Sequence, residues 1–430
     1  MNILLIHQNF LEKNDAGGSR FNEMTRIWEE QGHRVTVLAG MGHHATGQIP
    51  ERYRGKYTYV DRYSENRTVI RSRAAAGQSK GFLGRLLGYF SFTVSSTYAG
   101  LFKAREKYDV IVATSPPLFV GVTAYLLSLF KRRPLVFEVR DLWPESAIDT
   151  GMLTNSLLIR FAFWFERFIY RYARRINVVT PAFRQALIEK KGLEPEKVVM
   201  IPNAADFSMS DEILRDFDRS AFRKKLGIAD KVAIIYVGAH GIANHLIQVL
   251  ETADLLRDRP EVVFMLVGDG AQKPVLQEEV ERLRLQNVLF FDPVPKQEIF
   301  RYILAADFGT SVLKKVDTFK TVYSNKTFDY MACKRPVLMV IDGVSRELVE
   351  QAGCGRYIEP EDPAAFAATI REYLDADRKK WIEEGENGYR FAKENFDREV
   401  LAMKYLRLLE EVAGAGASSF QQNIQPNRHE

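Results

Sequence analysis

Ser324-Asn325-Lys326, followed by Asp329, is the stretch whose residue types and spacing point most directly to chemistry. The segment from Ser311 to Pro336 reads as a strand end, a polar loop and a helix. That helix opens at Ser324 and ends near Lys334, and Pro336 starts the next strand. Free backbone N–H groups at a helix start, the positive end of its dipole and an adjacent lysine make a seat for an anion. Asp329 stands one turn beyond Asn325 and is able to face the same space. A phosphate seat with a carboxylate able to hold a ribose hydroxyl pair is what a nucleotide-sugar site needs. The same letters also suit an ordinary capped helix with a surface Lys and Asp.

Other candidates stand at strand ends. Arg140 and Asp141 follow the apolar run 134–139, where open α/β sheets bind ligands, and Trp143-Pro144 stiffens that loop. Gly17-Gly18-Ser19 lies late in the loop after the first strand. Two glycines there let the backbone approach a ligand ahead of a helix start, or simply make a flexible connection. Gly238-Ala239-His240-Gly241 and then Asn244 follow the run 231–237, and Gly268-Asp269-Gly270 follows 262–267. Asp216-Phe217-Asp218 is a D-x-D by letter, but it falls in a polar stretch rather than after a strand. The seven histidines show no H-x-x-H or H-E-x-x-H spacing, so no metal site is expected, and His43-His44 reads as an exposed loop pair.

The elements that must position these residues alternate. Asn2-Ile-Leu-Leu-Ile6 reads as a buried parallel strand, a helix follows to about Gln31, and 34–39 is the second strand. Shorter strands are expected at 57–63 and 67–73, then further ones at 108–114, 134–139, 176–180 and 197–201. A second βα series begins at Lys231. Helices are expected at 120–130, 157–175 and 244–256. Two successive halves of this kind predict an α/β chain of two Rossmann-like domains whose ligand loops face across a cleft. The domains are expected at 1–205 and 206–389, with a linker and lead-in helix within 207–230. A C-terminal helix, about 390–413, packs back on the first domain, and 414–430 reads as a disordered tail.

Composition narrows the classes. The chain has 430 residues, 46% hydrophobic and 27% charged, which suits two full cores. Two cysteines exclude a disulfide scaffold, and the direct start into a strand without a signal segment suits the cytoplasm. A net charge of +5 and the lack of a recognition motif disfavour nucleic acid. Residues 66–105 hold no Asp or Glu but several Arg and Lys. The uncharged stretch 86–102 within them is either a helix on an anionic membrane surface or a buried layer helix. In the helix 157–175, Phe161, Trp164, Phe165, Phe168 and Tyr172 share one face, expected against the sheet with arginines toward water, a membrane-surface helix being the other reading.

Taken together, GGSR, QGHRVTVLAG, EVRDLWPES, IPNAAD, YVGAHGIAN, FMLVGDG, NVLFFDPVPKQEI, AADFGTSVL, SNKTFDYMACKRPVL and QAGCG resemble family 4 retaining glycosyltransferases of the GT-B fold. The likeness is to the bacterial subgroup that builds polysaccharides and O-antigens, including fucosamine transferases, and it spans residues 1 to about 410. It implies a nucleotide-diphosphate-sugar donor, with uridine as the base, on the second domain, and a lipid-linked or glycan acceptor. It also implies peripheral contact with the inner membrane face and a metal-independent reaction without cofactor. Asp329 then matches the second acid of the family's E-x7-E element, facing the ribose, while Thr321 replaces the first. His240, Gly241, Asn244 and Lys326, with backbone N–H groups of Ser324 and Asn325, take the diphosphate contacts, and Val294 lies by the base. Arg140-Asp141 replaces the common His-Asp pair near the sugar. A sugar-nucleotide epimerase and a non-catalytic nucleotide-sugar binder are the alternatives.

Overall fold

The computed structural model describes residues 1–12, 20–42, 49–75, 81–149, 151 and 153–422. Its residues fall into two bodies. The first holds the described residues of 1–12, 20–202 and 399 onward, and the second those of 203–398.

The first body is built on an eight-stranded sheet. Its strands are β1 (Asn2–Ile6), β2 (Arg34–Gly40), β3 (Thr58–Arg62), β4 (Arg67–Ser72), β5 (Val110–Ser115), β6 (Leu135–Val139), β7 (Arg175–Val178) and β8 (Val198–Met200), in the order β3-β4-β2-β1-β5-β6-β7-β8. All neighbours are parallel except β3 and β4. Short apolar runs covered on both faces suit parallel strands, and Ile3 to Ile6 and Val110 to Ala113 are fully buried. β1 lies between β2 and β5, so the connection reverses direction at its carboxyl end. Buried Glu138 on β6 is held by Arg20 at 3.1 Å and by Asn177 at 2.8 Å, and Arg20 also donates to the carbonyl of Ile201 at 2.8 Å. Arg20 therefore supplies a bolt across the sheet.

The second body has six parallel strands: β9 (Val232–Val237), β10 (Val262–Val267), β11 (Val288–Phe291), β12 (Phe308–Val312), β13 (Val337–Val340) and β14 (Gly355–Tyr357), ordered β11-β10-β9-β12-β13-β14. Successive side chains point to opposite faces, so Ile235 and Met265 enter one core while Ile234, Tyr236 and Phe264 enter the other. The reversal point is the carboxyl end of β9, between β10 and β12.

Several expectations change. Residues 207–230 are not a linker: helices Phe207–Asp216 and Arg219–Lys225 fold into the second body, with Phe207 in its core and Arg219 on Asp307 at 2.7 Å. The segment around 390 is split. Helix Arg378–Asn395 stays with the second body, where Glu386 meets Lys334 at 2.9 Å, and helix Arg398–Gln422 belongs to the first, where Trp28 donates to the carbonyl of Ala402 at 2.9 Å. The latter helix continues past 413 into the expected tail, and 423–430 lie outside the described residues. The helix expected from Asn244 instead begins at Ile247, because His245 is left-handed and ends a short 3-10 turn.

Helix Ser156–Tyr172 also turns differently. It buries Ala162, Phe165, Ile169 and Tyr170, while Phe161, Trp164 and Tyr172 are exposed. Periodicity identified the stripe but not the sector that faces the sheet. Gly121 on helix Val120–Lys131 lets Ile169 and Phe165 approach closely, and that contact sets the rotation. Among the described residues no helix is long and apolar enough to cross a membrane.

Candidate functional site

At the reversal point of the second sheet, β9 runs into Gly238. Helix Asn325–Ala332 starts beside it. Lys326 folds back over β9: its ammonium lies 4.7 Å from the centroid of the Tyr236 ring and 3.5 Å from Ser324 Oγ. No carboxylate of the described residues pairs with it. Burial pulls its pKa down to about 8, so at pH 7 it is a cation with no counter-charge. A Cβ at Gly238, which has φ +136, would stand 3.4 Å from Lys326 Cε.

The helix start is only partly available. The N–H of Ser324, expected to meet a diphosphate, donates to Ser345 Oγ at 3.2 Å, so that contact is corrected. Asn325 is exposed, and its N–H and that of Lys326 begin the helix without an acceptor inside it. Asp329 lies one turn on, mostly buried, 3.7 Å from Lys296, which also pairs with Asp206. Val294 precedes Lys296 by two residues and is half-buried against the core. Thr321 Oγ1 donates to the carbonyl of Thr318 at 2.6 Å.

His240 is fully buried, and among the described residues neither ring nitrogen has a hydrogen-bond partner. Burial, helped by the charge of Lys273, pushes its pKa down to about 4. It is therefore neutral at pH 7 and brings a donor or acceptor, not a charge. Its backbone pins two loops together: its N–H donates to the carbonyl of Asp269 at 2.8 Å, and its carbonyl accepts from Gln272 at 2.9 Å. The approach is so close that a Cβ at Gly268 would fall 1.9 Å from the Gly238 carbonyl oxygen. Gly241 and Asn244 complete the loop, with Asn244 Nδ2 3.6 Å from where a Gly241 Cβ would stand.

In the first body Arg140 and Asp141 follow β6 directly. Asp141 accepts from Ser146 Oγ at 2.7 Å, and desolvation raises its pKa above the usual carboxylate value. Arg140 Nη1 lies 3.5 Å from His7 Nε2. The sequence reading missed His7. Its signal is position, since it directly follows β1 at the reversal point of the sheet. Gly17 and Gly18 lie outside the described residues.

Thus Ser324, Asn325, Lys326, His240, Gly241 and Asn244 gather around the end of β9. Asp329 and Val294 lie on the Lys296 side of the same body. Asp216 ends one helix, and Asp218 caps the next by accepting from Ala221 N–H at 2.9 Å. Among the described residues no three His, Cys, Asp or Glu side chains gather as a metal set.

Comparison with known proteins follows the same division. Residues 16–204 match the Glycosyl transferase 4-like domain, and residues 231–376 match Glycosyl transferases group 1. WcaI of Escherichia coli (strain K12), named as a colanic acid biosynthesis glycosyl transferase, is 26% identical over 381 residues, covering 87% of this chain and 92% of its own. WbjE of Pseudomonas aeruginosa, named as a glycosyltransferase, is 26% identical over 304 residues, covering 69% and 72%. The crystal structure of Anabaena HepE in complex with UDP has a TM-score of 0.68 at 19% identity, covering 96% of this chain and all of that one, and so shares the fold. With both domains matched in series over well over half its length, and with two Rossmann-like sheets of the GT-B kind, this chain belongs to the family 4-like glycosyltransferases.

Proposed function

We propose that this glycosyltransferase moves a sugar, an N-acetylated amino sugar being one candidate, from a UDP-linked donor to a lipid-linked or glycan acceptor in polysaccharide or O-antigen synthesis, with retention at the anomeric carbon. The observation that carries this reading is Lys326, an uncompensated cation at a helix start on the reversal point of the second sheet. WcaI is named for colanic acid biosynthesis and HepE was crystallised with UDP, which supports the pathway class and the base.

In this reading the Lys326 ammonium and the free N–H groups of Asn325 and Lys326 hold the diphosphate and stabilise the charge it gains on leaving. Gly238 and Gly241 let the backbone approach it, and His240 lends a neutral donor from beneath. Asp329 holds the ribose, and Val294 borders the base. As the bond from the anomeric carbon to the diphosphate breaks, the acceptor oxygen bonds that carbon on the same face. Its proton passes to the leaving phosphate. Arg140 and Asp141 orient the acceptor or the sugar hydroxyls. The reaction proceeds at the cytoplasmic face, where a lipid-linked acceptor is met.

Thermal shift against UDP, GDP, ADP and their sugars tests the donor site, since a ligand of the native state raises its melting temperature. Stabilisation by UDP compounds that is lost in Lys326→Ala and weakened in Asp329→Ala is expected. No shift from any nucleotide at saturating concentration would overturn the donor reading and leave a non-catalytic protein.

A further inference from the structure

We infer that Lys296 is a positioning residue of the donor site: its ammonium, anchored on buried Asp206, holds the Asp329 carboxylate in place to accept from both hydroxyls of a nucleotide ribose. The inference rests on the reading of Asp329 as the ribose contact. All of the residues it uses belong to the second body.

The placement of Lys296 is unfavourable by itself. It opens helix Lys296–Ala305, where the positive end of the helix dipole repels a cation and favours an acid. Its side chain is also mostly buried. Two carboxylates offset both costs. Asp206 pairs with the ammonium directly, and Asp329 Oδ1 lies 3.7 Å from it. Pro293 and Pro295 flank Val294 just before the lysine, so the chain that delivers it is stiff.

Asp206 serves as an anchor rather than as a cap. It stands at the N-cap of helix Phe207–Asp216, where an aspartate commonly accepts from the first turn, yet its side chain makes no such bond. Its carboxylate goes instead to Lys296 and to Arg398, whose Nε and Nη2 each meet one of its oxygens. Arg398 also donates to the Ala204 carbonyl at 2.9 Å, which ties the anchor to the backbone. Asp206 and Arg398 are both buried, so water does not compete for the pair.

Asp329 is left open on the other side of the ammonium. It lies on helix Asn325–Ala332. At 3.7 Å the ammonium is an electrostatic tether and not a hydrogen-bond donor. Both carboxylate oxygens therefore keep acceptor capacity, and two acceptors on one planar group match a vicinal diol. Without the tether the side chain would turn about its torsions, and ordering it again on binding would cost affinity.

Calorimetric titration of the full chain with UDP, and with deoxy-UDP that lacks one ribose hydroxyl, tests this. Wild type is expected to prefer UDP by at least about tenfold, as one hydrogen bond to a charged group predicts. Asp329→Ala should erase the preference. Lys296→Met should cut it to about twofold, because the carboxylate is present but no longer held. Lys296→Gln, whose amide can still donate to Asp206 and so puts folding less at risk, should do the same. A lysine needed only for folding would weaken both ligands alike and leave their ratio unchanged. Wild type that binds both ligands equally would overturn the ribose reading and this inference with it. A preference lost in Asp329→Ala but kept in both Lys296 variants, or both ligands lost alike in those variants, would overturn this inference alone.

Discussion

Lys326 and His240 differ in what burial does to them, and the difference is measurable. Lys326 is held near pH 8, above which it loses the charge that an anionic donor needs. UDP affinity should therefore be nearly level below about pH 7 and fall by about thirtyfold from pH 7 to 9.5, as one lost protonation predicts. Lys326→Arg, which stays charged, should flatten that profile in calorimetric titrations; the same fall in the Arg variant would remove Lys326 from the site. His240 titrates near 4 folded and near 6.5 in an unfolded chain. Between those values the unfolded state binds a proton that the folded state refuses. Stability should thus drop as pH falls from 6.5 toward 4, by up to about 3 kcal/mol. His240→Gln should lose less between pH 7 and 4.5 in urea denaturation than the wild type does.

Among elements, the pinned pair of loops after β9 and β10 is the most demanding. Gly268, with φ +148, allows the Gly238 carbonyl to pass where a side chain would stand. Gly268→Ala should destabilise the second body by at least about 2 kcal/mol and abolish UDP binding, whereas Gly270 and its loop cannot relax to compensate without releasing the His240 backbone. Equilibrium unfolding followed by Trp381 emission checks this; wild-type stability in the variant would show that the loops part easily. Alternation of apolar runs made the strands legible, and β1, β6 and β9 lie within a residue or two of their expected bounds. The rotation of helix Ser156–Tyr172 was not legible, because its aromatic and Ala/Ile sectors adjoin and packing against Gly121 chose between them.

At the scale of the whole chain, the second body is entered and left at one place. Ala205 bridges Asp397, and Arg398 pairs with Asp206, which Lys296 also holds. Lys296 in turn reaches Asp329, so the node and the proposed ribose contact share a cation. Arg398→Leu would leave buried Asp206 with one cation instead of two. A loss of about 3 kcal/mol in the second body is expected, with UDP binding weakened but not lost. Unchanged unfolding by Trp381 emission would mean that Lys296 alone suffices.

The sequence by itself determined the doubled βα series, the strand-end positions of Arg140, Asp141, His240 and Gly268, and the helix that opens at Ser324. Those features are local: apolar runs, glycines and caps set them within a few residues of chain. Only the tertiary structure decided that Ser345 occupies the Ser324 N–H, that Lys326 lacks a counter-ion among the described residues, that His7 stands beside Arg140 and that residues 207–225 pack as two helices rather than a linker. Each depends on partners distant in the chain, and neither residue type nor spacing carries the distance between them.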